Sequence, residues 1–137
     1  MAIQPVEDAT VRAFIVLARR DRYLSLLANP KRRSAILGKL AHCHDFDERY
    51  ATPLPSNADV PGVLRSHGAP ATCHVISEAA LIDGREMEIE EAIEKAAAAN
   101  AGALLCCVPG RLAFYLGESG EQRSLPRRGS PGQSSMT

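Results

Sequence analysis

The stretch EIEEAIEKAAAANAGALLCCV, Glu88 to Val108, carries the reading of the fold. In its first half Ile89, Ala92, Ile93, Ala96 and Ala97 recur at i, i+3, i+4, i+7 and i+8, the spacing of one helical face. Glu86, Glu88, Glu90 and Glu91 load the amino-terminal end, where the helix dipole favours negative charge. A helix from about Glu88 to Asn100 is therefore predicted, with Gly102 as its stop. Alanines in the stripe let this helix approach closely whatever it covers. The second half, ALLCCV, is apolar without a break and predicts a strand buried on both faces.

Working outward, TCHVIS (Thr72–Ser77) reads as a strand from its β-branched content and flanking punctuation, and Asp83-Gly84 reads as a turn. On the other side Pro109 and Gly110 fit the central positions of a type II turn. Leu112, Phe114 and Leu116 then alternate with Ala113 and Tyr115 in a return strand. A right-handed crossover through the helix makes the first two strands parallel and the third antiparallel. Residues 71–118 thus predict a β-α-β-β unit, a small three-stranded mixed sheet.

Residues 1–70 read as mainly helical. Residues 11–18 sit between helix and strand because of their β-branched content, with helix preferred over Val6 to Ala28. Asn29 and Pro30 open a further helix with Ile36, Leu37, Leu40 and Ala41 on its stripe. ATPLPSNADVPG (Ala51–Gly62) reads as an extended surface loop, from which Asp59 caps a short helix carrying Val60, Val63, Leu64 and His67. Residues 119–137, rich in Ser, Gly, Pro and Gln, read as a disordered tail. The expectation is one α+β domain over residues 1–118, with amino-terminal helices packed on the sheet.

A chain of 137 residues suits one hydrophobic core. Aromatics are only 4% and tryptophan is absent, so that core must be aliphatic. No run of about 18 apolar residues occurs, and no basic segment precedes the first apolar patch, which predicts a cytoplasmic protein without a membrane span. Cys43, Cys73, Cys106 and Cys107 form neither a CxxC pair nor a disulfide framework, as expected for reduced thiols. Net charge is zero but segregated: Arg12 to Lys39 is basic, opposed only by Asp21, and Asp45 to Glu91 is acidic. Internal pairing, self-association and an acidic partner are the three physical meanings of such asymmetry.

Three groups of residues bear on chemistry. HCHDFDERY (His42–Tyr50) offers His42, His44, Asp45 and Asp47 as ligands for a divalent transition metal such as zinc. That holds only in an extended segment, because a helix sets the two histidines about 200° apart; otherwise the stretch is the polar end of the preceding helix, with no cofactor. Beyond the carboxyl ends of two parallel strands, Glu78, Asp83, Arg85 and Arg111 are the candidates for acid/base work or ligand binding, against a simple turn-rich rim of ion pairs. Arg19, Arg20, Arg22, Arg32, Arg33 and Lys39 form a phosphate-tracking footprint for nucleic acid, although stacking aromatics are scarce. No nucleophile elbow or phosphate-cradling glycine loop is present. The function expected is a non-enzymatic accessory protein that binds a protein partner or itself through its polarised charge. A metal-dependent hydrolase built on His42, His44 and Asp45, and a nucleic-acid-binding protein, are the alternatives.

Overall fold

The computed structural model describes residues 3–40, 42–117 and 122–128. The amino-terminal patch resolves into two helices, α1 (Pro5–Phe14) and α2 (Leu17–Ala28), separated by an extended Ile15–Val16. Those two β-branched residues break the helix because their backbone is used elsewhere. Ile15 forms a β-bridge with Phe46, Val16 N–H donates to the Asp45 carbonyl (2.8 Å), and Asp47 N–H donates to that of Phe14 (2.7 Å). The next helix, α3 (Arg33–Leu40), starts later than Pro30 because the Asn29 side chain accepts from Lys31 N–H in a turn. Ile36, Leu37 and Leu40 are buried as the stripe requires, and Ala41 lies outside the described residues.

A three-residue strand, β1 (Ala51–Pro53), occupies the expected loop, and the Asp59 carboxylate caps α4 (Val60–Ser66) by accepting from Gly62 N–H. Then come β2 (Thr72–Ser77), β3 (Glu86–Glu88), α5 (Ile89–Ala99), β4 (Ala103–Val108), β5 (Leu112–Leu116) and β6 (Arg123–Pro126). Helix α5 ends at Asn100, which takes the left-handed conformation (φ 55°) ahead of Gly102. Gly110 has φ +72° and Arg111 N–H bonds to the Val108 carbonyl, the positive φ and closure that a type II turn needs.

The sheet corrects the expectation of three mixed strands. Six strands run in the order β1-β6-β5-β4-β2-β3, every neighbouring pair antiparallel. The helical crossover exists, but it leaves from β3 rather than β2. Because β3 first reverses the chain in a hairpin with β2, α5 delivers β4 antiparallel to β2 on its other side. Glu-Met-Glu carries a single apolar residue and no periodic signal, so its pairing is invisible locally. The disordered-tail expectation fails over Arg123–Pro126 for a related reason: RSLP is short and polar, and becomes a strand only because β5 and β1 flank it. Residues 119–121 and 129–137 of that expectation lie outside the described residues.

Both faces of the sheet are covered. Ile76, Leu104, Cys106, Ala113 and Tyr115 pack beneath α1, α2 and α3, while Val75, Ala103, Leu105, Phe114 and Leu116 pack against α4 and α5. Ala92 and Ala96 of α5 are fully buried, as their small size allows. Both edge strands have three residues; β3 turns Glu86 and Glu88 to solvent and β1 ends on Pro53, features that discourage edge-to-edge association.

Tyr115 ties the helical layer to the sheet. Its buried hydroxyl donates to the Leu40 carbonyl and accepts from Cys43 N–H (3.0 Å). Tyr115→Phe leaves both groups without that partner, so a loss of about 1–3 kcal/mol is expected in urea unfolding, with the denaturant slope unchanged.

Candidate functional site

Four residues distant in sequence form a buried ion network between α1, α3 and the β2–β3 hairpin. Glu7, 1% exposed at its side chain, faces Arg33, whose Nη1 and Nη2 donate to its two oxygens at 2.8 Å each. The same guanidinium reaches Asp83, with Nε to Oδ2 at 2.8 Å and Nη2 to Oδ1 at 2.9 Å. Its remaining N–H is taken by the Leu27 carbonyl at 3.3 Å, so all five donors are used. His74 Nε2 lies 2.7 Å from Glu7 Oε2, and Asp83 Oδ1 also accepts from Ser77 N–H at 3.0 Å.

Burial alone pushes Glu7 upward, but the hydrogen bonds and charges of Arg33 and His74 outweigh it and hold the carboxyl at about 2. Arg33 is raised by its bonds to Glu7 and Asp83. The network is saturated: no buried side-chain N or O among the described residues lacks a partner. None of the clefts described below is lined by its members. Chemically it is a clamp that joins the helical layer to the sheet, with no spare donor or acceptor on Arg33 for a substrate.

The structure separates the remaining sequence candidates. Asp83 belongs to the clamp. Glu78 and Arg85 are exposed, Arg85 Nη1 bonding to the Leu81 carbonyl. Arg111 lies at the other end of the sheet, because Ser77 pairs with Ala103 at the start of β4 whereas Arg111 follows its end. Strand rise over Ala103–Val108 alone is roughly 17 Å, and Glu78 and Arg111 lie beyond its opposite ends. The crevice rule for parallel strands has no place to act here, since β2 and β4 are antiparallel.

HCHDFDERY is no continuation of α3, which ends at Leu40. His42 and His44 are exposed, whereas Cys43 between them is buried, with its sulfur 3.6 Å from the Tyr23 hydroxyl. Asp45 accepts from Tyr23 (2.7 Å), and Asp47 is held by Arg49 (2.7 Å). Among the described residues no three His, Cys, Asp or Glu side chains come together as an ion cage. A cleft of about 240 Å³ borders Cys43, His44 and Glu48.

The cysteines offer no ready nucleophile. All four are reduced and buried, and burial pushes Cys73 and Cys106 up to about 12, with Cys43 and Cys107 also raised.

At the turn end of the sheet, the end of α4, the β4–β5 turn and the two residues after β6 enclose a cleft of about 450 Å³, lined by Ser66, His67, Gly68, Arg111, Arg127 and Arg128 together with Val108 and Leu112. Sequence reasoning names Arg111 alone of its three arginines. The other two lie in what reads as tail.

The architecture defines a three-layer α/β/α protein with an antiparallel sheet. Comparison of the chain with family models, with curated proteins and with solved structures finds no match. Among the described residues no helix is long and apolar enough to cross a membrane.

Proposed function

We propose that this is a non-enzymatic accessory protein of the cytoplasm that engages an acidic surface of a protein partner, or of a second copy, through its α2–α3 layer. One observation carries the reading: Arg22, Lys31, Arg32 and Lys39 are exposed on this layer, and none has a side-chain partner among the described residues. Arg19 is also exposed, 3.9 Å from Asp45. On the opposite side of the sheet, α5 exposes Glu90, Glu91 and Glu94. Two of those acids are already paired, Glu90 with Arg65 (3.4 Å) and Glu91 with Lys95 (3.8 Å), whereas the cations of the α2–α3 layer stay open to steer and orient encounter with an acidic surface. The four buried reduced thiols fit a reducing compartment.

Arg33 drops out of the basic footprint, because its charge is spent on Glu7 and Asp83. Tyr23, the aromatic on α2, is buried and unavailable for stacking on bases. Both facts favour a protein surface over nucleic acid.

The test is affinity capture and sedimentation at two salt concentrations, comparing the wild type with the double variant Lys31→Glu, Arg32→Glu. Partner retention or self-association is expected to fall at least about tenfold between 0.05 M and 0.5 M salt, and to vanish in the variant while its melting temperature is unchanged. A monomer that retains nothing at either salt, or retention indifferent to the charge reversal, overturns the proposal.

A further inference from the structure

The cleft at the turn end of the sheet is unlike the ion network in one chemical respect: its cations have donors to spare. The chain holds equal numbers of acidic and basic residues, 16 of each, yet among the described residues no acidic residue lines this cleft. Arg111, Arg127 and Arg128 are brought there by backbone pairing. Leu112 bridges to Arg127, Arg128 N–H donates to the Arg111 carbonyl (2.8 Å), and Arg127 N–H donates to that of Tyr50 (2.7 Å). Folding therefore gathers three arginines around one cleft. Arg111 and Arg127 make no side-chain hydrogen bond or ion pair among the described residues.

Arg128 is held in place. Its Nε donates to the Ala13 carbonyl (2.9 Å) and its guanidinium carbon stands 3.8 Å from the centroid of the Tyr50 ring. Asp47, whose field reaches Arg128, is itself bound by Arg49. Arg128 thus supplies fixed positive charge, while Arg111 and Arg127 supply open planar forks of the kind that grip phosphate oxygens in pairs.

We infer that this cleft binds a small phosphate-bearing anion, a phosphate monoester or a diphosphate. Three arginines with His67 beside them exceed what a single carboxylate would balance, and about 450 Å³ is the size of a small-molecule site. The site lies at the turn end of the sheet, built from α4, the β4–β5 turn and Arg127–Arg128, and shares no residue with the α2–α3 surface, so it stands or falls independently of the protein-binding reading.

The experiment is calorimetric titration of the full chain with inorganic pyrophosphate, with phenyl phosphate, and with acetate and a duplex oligonucleotide as further arms. The same titrations are run on Arg111→Gln and Arg127→Gln, whose exposed side chains leave the fold undisturbed. Saturable binding of one equivalent of pyrophosphate or phenyl phosphate is expected, weakened at least about tenfold in each variant and not competed by acetate. The tighter of the two phosphates identifies whether a monoester or a diphosphate is preferred. No saturable binding of either, binding by both variants as tight as by the wild type, or displacement of pyrophosphate by the oligonucleotide at lower concentration overturns the inference.

Discussion

Arg33→Ala is expected to destabilise the native state by about 3–5 kcal/mol, because it strands Glu7 and Asp83 as buried carboxylates with no guanidinium between them. The side chains of both acids are at most 15% exposed, so solvent does little to replace the lost partner. Arg33→Lys is expected to recover only a minor part. An ammonium has three donors at a single point, whereas this site uses five donors directed at two carboxylates and a carbonyl. The neighbouring Arg32→Ala serves as the control and is expected within about 0.5 kcal/mol of wild type, since Arg32 is exposed and unpaired among the described residues. Urea unfolding followed by circular dichroism measures all three. If Arg33→Ala and Arg32→Ala have the same midpoint, the network contributes no specific stability and its role as a clamp fails.

Acid is expected to remove a comparable amount through the same cluster. Glu7 titrates near 4.5 when unfolded and about 2 when folded, despite burial, because Arg33 and His74 favour its ionised form. The depressed folded value means that the unfolded chain binds the extra proton first. The contribution is thus complete above about pH 4.5 and is lost as pH falls toward 2. A shift of this size corresponds to about 3 kcal/mol. Asp47, bound by Arg49, is lowered to about 2 as well and adds a loss of the same sign. Unfolding free energies of the wild type and Glu7→Gln, measured at pH 5 and pH 2.5, separate the two. The variant is less stable at pH 5, and the gap between the proteins should narrow on acidification. A constant gap across that interval would show that Glu7 does not titrate differently in the two states.

The ion network also shows why a site can be illegible in a sequence whose elements are largely legible. Arg33 reads as one cation in a basic run, Glu7 as an ordinary acid near the amino terminus, and His74 as a residue in a strand. Their pairings span 26, 50 and 67 residues, distances at which no spacing rule operates. Asp83 is legible as a candidate through its place beyond the carboxyl end of the first strand, but its partner is not. The cleft failed to appear for a different reason. Arg127 and Arg128 sit in a segment whose composition resembles a tail, and only the strand bonds of β6 bring them to Arg111.

Local chemistry by itself determined the elements that carry a periodic or steric signal. Strands β2, β4 and β5 follow from β-branched or alternating apolar runs, α5 from its alanine-rich stripe, α4 from the Asp59 cap, and the Pro109-Gly110 turn from the positive φ that glycine tolerates. The tertiary structure alone decided the direction of the strands, the short polar strands β1, β3 and β6, and the meeting of Glu7, Arg33, His74 and Asp83. Those features rest on hydrogen bonds and charges contributed by segments far along the chain, so their free energy exists only once the layers have come together.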